Sequence, residues 1–386
     1  MTVPERPDAR VAGAGTPSLG AGTRAVHAGL PEPAQGEPFL PGPVLAAPHH
    51  LRGEPDSSPF AYQRYGNPTW ARYEGALAEL EGGGEAIVFA SGMAAAAAVL
   101  FSLLRPGDVL VAPGDAYPGV RTLARERLAP LGIEVRLVPT DEEAVRAALA
   151  GAGLVWIETP SNPGLDTCGI ATLAEAAHAA GALLAVDNTL ATPLQQRPLD
   201  HGADLSMSSG TKYLTGHSDL LMGHVAVRDP SLAETLRSWR TQTGPTPGPF
   251  ETWLAHRSLT TLELRLERQC ANAQAVAEML AARSDVVELR YPGLPSDPAH
   301  AVAAGQMRRF GAVIGLTLDS RARAERFLAA SRLVFEASSF GGAHSTGERR
   351  GRWGTDAVPE GFIRLSVGCE DAADLVADLA QALDSV

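Results

Sequence analysis

Residues 85–104 read EAIVFASGMAAAAAVLFSLL, and what this run becomes decides the fold. From Ala86 to Leu104 it carries no charge and is long enough to tempt a membrane assignment. Ser91-Gly92 breaks it, however, and alanine dominates the residues beyond the break. A short strand, EAIVFA (85–90), turning at Ser91-Gly92 into a buried helix accounts for both features.

Working outward, the same alternation recurs. DVLVAP (108–113), IEVRLVP (133–139), GLVWIETP (153–160), ALLAVDN (182–188) and LMGHVAV (221–227) are further short apolar runs bounded by Gly, Pro or Asp. Helix-length stretches with Ala and Leu at helical spacing occupy 71–82, 117–132, 141–153 and 170–182. Strand, helix, strand repeated this often predicts a mainly parallel sheet covered on both faces. Ligands in such sheets collect at the carboxyl ends of the strands. From residue 251 the pattern changes to one long amphipathic stretch (251–284), then shorter strands and helices ending in 371–386. That predicts a smaller α+β unit hinged on a long helix.

Composition narrows the function. A chain of 386 residues, 45% hydrophobic, can bury a large core. A net charge of −12 and the lack of basic runs interleaved with aromatics argue against a nucleic-acid partner. Cys168, Cys270 and Cys369 are far apart and odd in number, so neither a disulfide framework nor a zinc site is implied, and a reducing compartment is expected. The ten histidines show no HExxH spacing, so no metal is expected, and His217 reads as structural. Residues 1–22 lack the apolar core of a signal peptide and read as a loose arm.

Polar residues cluster at strand ends: Ser91-Gly92-Met93, Ser161-Asn162-Pro163, Asp187-Asn188-Thr189, and Ser209 to Lys212. Each has an ordinary reading. Ser91 could simply cap a helix whose N-terminus also suits a phosphate. Ser209 and Thr211, two apart on a segment that reads as extended, could present their hydroxyls to one anion or to nothing in particular. Asp187 closes an apolar strand and could cap a turn or meet a cation. Lys212 could reach solvent. Together, an amine, a buried acid and a phosphate cradle are the parts that pyridoxal 5′-phosphate (PLP) requires: Schiff-base former, pyridinium partner and anchor.

At these residues the chain resembles the Cys/Met-metabolism family of PLP enzymes, which includes cystathionine γ-lyase, cystathionine γ-synthase, cystathionine β-lyase and methionine γ-lyase. The matching stretches are YQRYGNPT (62–69), FASGMAA (89–95), WIETPSNP (156–163), VDNT (186–189), GTKYLTGHSD (210–219), YPGLPSDP (291–298) and IRLSVGCED (363–371). The resemblance implies an aspartate aminotransferase-like, type I PLP-transferase fold: an arm and intersubunit segment (1–66), a PLP-binding large domain (67–250) and a C-terminal small domain (251–386). It implies Lys212 as Schiff-base former and proton shuttle, Asp187 at the pyridinium nitrogen, and Tyr117 stacked on the ring as acid or base. Gly92, Met93, Ser209 and Thr211 would hold the phosphate. Asn162 would sit near the phenolic oxygen, with Ser339 and Arg364 on the substrate side, Arg364 clamping the α-carboxylate. Tyr62 and Arg64 would cross to a neighbour's phosphate, which makes a cytoplasmic homotetramer with shared sites. The implied reaction is α,γ-elimination of L-cystathionine, with γ-replacement on an O-acylhomoserine, or C–S cleavage of another sulfur amino acid, as alternatives.

Four departures touch the substrate side. Gly119 stands where methionine γ-lyases carry cysteine, and Ser338 where many relatives carry glutamate. Residues 343–361 (AHSTGERRGRWGTDAVPEG) are shorter and more basic than the family's pattern, and the region 40–60 differs as well. For Arg364 itself, strand alternation also allows a surface charge.

Overall fold

The computed structural model describes residues 19–54 and 57–386. Most of the expected arm over 1–22 lies outside the described residues, and a short helix, α1 (Ala21–His27), begins within its last two positions. α2 (Pro68–Leu80) comes next, capped by Asn67, whose side chain accepts from the Thr69 N–H.

The opening run folds as strand, turn and helix. β1 (Glu85–Phe89) leads into α3 (Gly92–Leu103), with Ser91 Oγ accepting the Ala94 N–H at 3.1 Å as N-cap. β2 (Val109–Pro113), β3 (Glu134–Val138), β4 (Ala152–Glu158), β5 (Leu183–Asp187), β6 (Leu205–Ser208) and β7 (Gly223–Val227) complete a seven-stranded sheet in the order β1-β7-β6-β5-β4-β2-β3. The central strands pair parallel, while β7 runs antiparallel to both β1 and β6. Alternate residues serve opposite faces. Leu154, Trp156 and Ala185 pack toward α3, whereas Val155, Ile157 and Val186 pack on the other side. Burying side chains of this size stabilises by about 1.5–3 kcal/mol each.

The helices of this layer are α4 (Pro118–Leu123), α5 (Glu142–Ala147), α6 (Ile170–Ala179) and α7 (Pro230–Thr243). α4 is shorter than the 117–132 stretch predicts. The chain widens over Ala124–Leu128 and tightens over Ala129–Leu131, ending at left-handed Gly132. The long helix expected over 251–284 is likewise two, α8 (Pro249–Leu259) and α9 (Leu262–Ala281). At the break the hydroxyls of Thr260 and Thr261 donate to the carbonyls of Arg257 and Ser258, competing with the helix's own bonds.

The second sheet contains β8 (Glu288–Arg290), β9 (Val313–Thr317), β10 (Phe335–Glu336), β11 (Thr346–Arg349) and β12 (Phe362–Ser366), in the order β10-β11-β12-β9-β8. With α10 (His300–Gln306), α11 (Arg321–Ala330) and α12 (Ala372–Asp384) it forms the expected second α+β layer. Its core joins Val276 and Leu280 of α9 to Ile314, Phe327, Ile363 and Leu379. No helix among the described residues is long and apolar enough to cross a membrane.

Candidate active site

A cavity of about 590 Å³ lies at the carboxyl ends of β4, β5 and β6 and is walled on its other side by residues 338–340 and β12. Strand ends build one wall because β5, buried over its last four residues, delivers Asp187 to the rim, and β6 stops at Ser208, where the chain turns back on itself.

At one end lies the N-terminus of α3. A Cβ on Gly92 would sit 2.6 Å from the Cβ of Ser209 and 2.7 Å from its Oγ, so glycine is what lets the first turn of the helix meet that hydroxyl. First-turn N–H groups have no intrahelical acceptor, and with a neighbouring hydroxyl they suit a phosphate. Thr211 contributes differently from the extended reading. Ser209 and Thr211 lie in a turn, with the Lys212 N–H donating to the Ser209 carbonyl at 3.2 Å. The Thr211 hydroxyl accepts the Met222 N–H at 3.0 Å and donates to the Met222 carbonyl at 3.2 Å, tying the turn to the start of β7.

Asp187 Oδ1 accepts the Thr189 N–H at 3.0 Å and its O–H at 2.5 Å, and Thr189 Oγ1 in turn accepts the Ser209 N–H at 2.8 Å. Burial pushes the Asp187 carboxyl up, against the Thr189 bonds and the Lys212 charge. A buried carboxylate with no ion pair among the described residues fits a protonated ring nitrogen. Lys212 Nζ donates to Ser339 Oγ at 3.0 Å and lies 4.9 Å from the centre of the Phe340 ring. Burial first, and the Arg364 charge second, push its amine down to about 8, against Asp187 and Glu348. Left-handed Gly341 lets the 338–342 loop press on the Lys212 backbone; a Cβ there would lie 2.9 Å from the Lys212 carbonyl carbon.

Arg364 is buried at 3% exposure, which rules out the surface-charge reading. Its Nη1 donates to Asn162 Oδ1 at 2.7 Å, and its Nη2 to the Ser338 carbonyl and Glu348 Oε2, both at 2.9 Å. Burial and then Arg350 push the guanidinium down to about 10, against Glu348 and Asp356. Asn162 therefore stands at Arg364 from within the same cavity. Tyr117 lies at the cavity wall, its N–H donating to Glu158 Oε2 at 2.8 Å.

The structure thus gathers Gly92, Met93, Tyr117, Asn162, Asp187, Ser209, Thr211, Lys212, Ser339 and Arg364 around one cavity. Tyr62 and Arg64 do not line it. Arg64 Nη1 donates to the Thr241 carbonyl at 2.7 Å, and its guanidinium lies over the Tyr65 and Tyr62 rings, with Tyr62 exposed.

Sequence reasoning missed Glu158 and Glu348. Glu158 ends β4 in register with Asp187, and burial and then Asp187 push its carboxyl well up, against the N–H groups of Tyr117 and Asn162. The signal was available, since both strands end an apolar run in an acid. Glu348, in the basic segment, is buried among arginines. An amine pushed toward its free base, a buried acid with no ion pair among the described residues and a helix N-terminus closed by a hydroxyl together fit PLP. Lys212 would tether it, Asp187 would face its ring nitrogen, and the start of α3 with Ser209 would hold its phosphate.

The comparisons with known proteins agree with this fit. The family model described as "Cys/Met metabolism PLP-dependent enzyme" matches residues 44–384. A Streptomyces coelicolor protein provisionally named cystathionine gamma-lyase is 61% identical over 369 residues, covering 95% of this chain and 94% of its own. The cystathionine gamma-synthase of Mycobacterium tuberculosis (strain H37Rv) is 42% identical over 385 residues, covering 94% and 97%. The crystal structure of metB from Corynebacterium glutamicum superposes with a TM-score of 0.92 at 35% identity, covering 95% of this chain and 98% of that one. The chain belongs to the Cys/Met-metabolism family of PLP-dependent enzymes, and its cofactor is pyridoxal 5′-phosphate.

Proposed function

We propose that the protein cleaves L-cystathionine by α,γ-elimination, with uptake of one water, to L-cysteine, 2-oxobutanoate and ammonia. The observation that carries the reading is the placement of Lys212, an amine pushed down to about 8, in one cavity with the buried cation Arg364. The 61% identity to the Streptomyces coelicolor protein favours elimination among the family's reactions.

When bound, the cofactor supplies an electron sink conjugated to the substrate Cα. Asp187 would keep a proton on its ring nitrogen, held in place by Thr189. Gly92, Met93, Ser209 and Thr211 would hold its phosphate. Arg364 would take the substrate α-carboxylate in a bidentate grip that a lysine could not give, with Asn162 and Ser339 beside it. Lys212 Nζ, its amine pushed down to about 8, would take the proton from Cα; a second proton would leave Cβ, its electron pair making the Cβ–Cγ double bond as the Cγ–S bond breaks, and the Tyr117 hydroxyl would give a proton to the departing sulfur. Tyr62 and Arg64, outside this chain's cavity, are assigned to a partner's phosphate in a homotetramer of shared sites.

Incubation with L-cystathionine alone tests the reading: 2-oxobutanoate should accumulate in step with cysteine. If none forms while O-acylhomoserine and cysteine give cystathionine, the reaction is γ-replacement instead, a second reading that the 42% identity to the Mycobacterium tuberculosis synthase supports.

A further inference from the structure

Residues 343–361, where the chain departs from the family's pattern, build a closed ion network behind the substrate side of the cavity. Glu348 of β11 is paired across the sheet with Arg364 of β12. Its Oε2 accepts from Arg364 Nη2 at 2.9 Å and from Arg350 Nη1 at 2.8 Å; its Oε1 accepts from Trp353 Nε1 at 2.6 Å and Arg352 Nη2 at 3.2 Å. Asp356, with its side chain 2% exposed, binds Arg350 through Nε at 2.9 Å and Nη2 at 2.5 Å, and Arg121 through Nη2 at 2.9 Å. Arg352 also pairs outward with Glu336.

Four guanidinium groups, on Arg121, Arg350, Arg352 and Arg364, are thus bonded to three carboxylates, on Glu336, Glu348 and Asp356. One positive charge is uncompensated, and the substrate α-carboxylate assigned to Arg364 matches it. Arg350 lines the cavity together with Trp353, Thr355 and Leu221. Its guanidinium is already divided between two carboxylates. A second anionic group entering here would lose its water without meeting a free cation, a loss that attraction to a compensated ion pair does not offset.

We infer that the part of the cavity receiving the γ-substituent is charge-compensated, so that it selects uncharged or zwitterionic γ-substituents, such as the amino-acid end of cystathionine, over those ending in a carboxylate, such as a succinyl ester. The inference rests on Arg364 holding the α-carboxylate, and not on which of the two reactions the enzyme completes.

The test is calorimetric binding to the holoenzyme of 4-acetoxybutanoate and 4-(succinyloxy)butanoate, which lack the α-amino group and so cannot react. The acetyl compound should bind at least about tenfold tighter. Asp356→Asn removes a negative charge and should narrow that ratio, and Arg350→Gln removes a positive one and should widen it, whereas a packing defect would move both ratios the same way. Equal or tighter binding of the succinyl compound by the unaltered protein overturns the inference, as does a shift of both variants in one direction or failure of the acetyl compound to bind at all. Failure of the cystathionine assay alone would remove the elimination reading and leave this one standing.

Discussion

The two walls of the cavity are held by different means. On the large-sheet wall, partners are near in sequence: Thr189 holds Asp187, Ser91 caps onto Ala94, and Thr211 reaches Met222. On the opposite wall Arg364 reaches Asn162, 202 residues away, as well as Ser338 and Glu348. The first wall can form when the strands do, because each polar group finds its partner at the same strand end or the next. The second is completed only once the two sheets have packed, because Arg364 meets Glu348 within its own sheet but Asn162 from the other. Lys212 belongs to both, its backbone to the first wall and its Nζ to Ser339 and the field of Arg364.

Removing the shared residue should have the largest effect. Lys212→Ala should lower cystathionine turnover by about 10³-fold or more, since in the proposed mechanism one group would both tether the cofactor and move the proton. Borohydride treatment of the unaltered protein should fix the cofactor covalently at Lys212, read by mass spectrometry of the peptide. Lys212 is the chain's single lysine, so cofactor that stays extractable after reduction would show that the two walls do not meet there.

A change confined to the second wall should separate the two. Arg364→Gln should leave cofactor absorbance in place while raising KM by roughly 10- to 100-fold, the scale of one or two lost hydrogen bonds to charged groups. It should also move Lys212. If Lys212 is the tether proposed above, its free amine would capture cofactor, and capture by the cofactor-free protein should rise with pH through about 8. Taking away a neighbouring positive charge makes the ammonium easier to hold, so in the variant the inflection should shift to higher pH. An inflection that stays put would mean Arg364 does not act on Lys212.

Gly119 lies against two residues of the first wall. A Cβ there would lie 2.5 Å from the Tyr117 ring and 2.9 Å from Met93 Sδ. Gly119→Ala should displace the ring and lower kcat by about tenfold, the cost of an acid moved off its position, with cofactor occupancy unchanged by absorbance. Loss of occupancy instead would place the disturbance on the phosphate side.

The difference between the walls also explains what could be read from the chain alone. The strand ends at Ser91, Asp187 and Lys212 are legible because apolar runs of strand length end there in residues with obvious chemistry. The break between α8 and α9 is not, since helical periodicity continues through Thr260-Thr261 and only the hydroxyl bonds reveal it. The turn at Ser209 to Lys212 reads as extended because alternation in ADLSMS masks where β6 stops. Glu348 is hidden more deeply. In a basic segment an acid reads as solvated, and its burial depends on arginines of that segment and of the next strand that no spacing rule brings together.

The smallest effect should come from Glu158, a carboxyl of the first wall. It lies beside Asp187 at the ends of adjacent strands, has no ion pair among the described residues, and accepts the Tyr117 N–H. Two neighbouring buried acids do not both ionise readily, and burial together with Asp187 pushes Glu158 well up, toward its protonated form. A carboxylic acid and a carboxamide have nearly the same shape, and either can accept the Tyr117 N–H through its carbonyl oxygen. Glu158→Gln should therefore change kcat/KM by less than about threefold, equivalent to under about 0.7 kcal/mol. Glu158→Ala, which leaves the N–H without its acceptor, should cost about 1–3 kcal/mol of stability in denaturant melts. A large loss of activity in the glutamine variant, with its stability intact, would show that the site needs Glu158 as an anion and that Asp187 is not the only charged carboxylate on its wall.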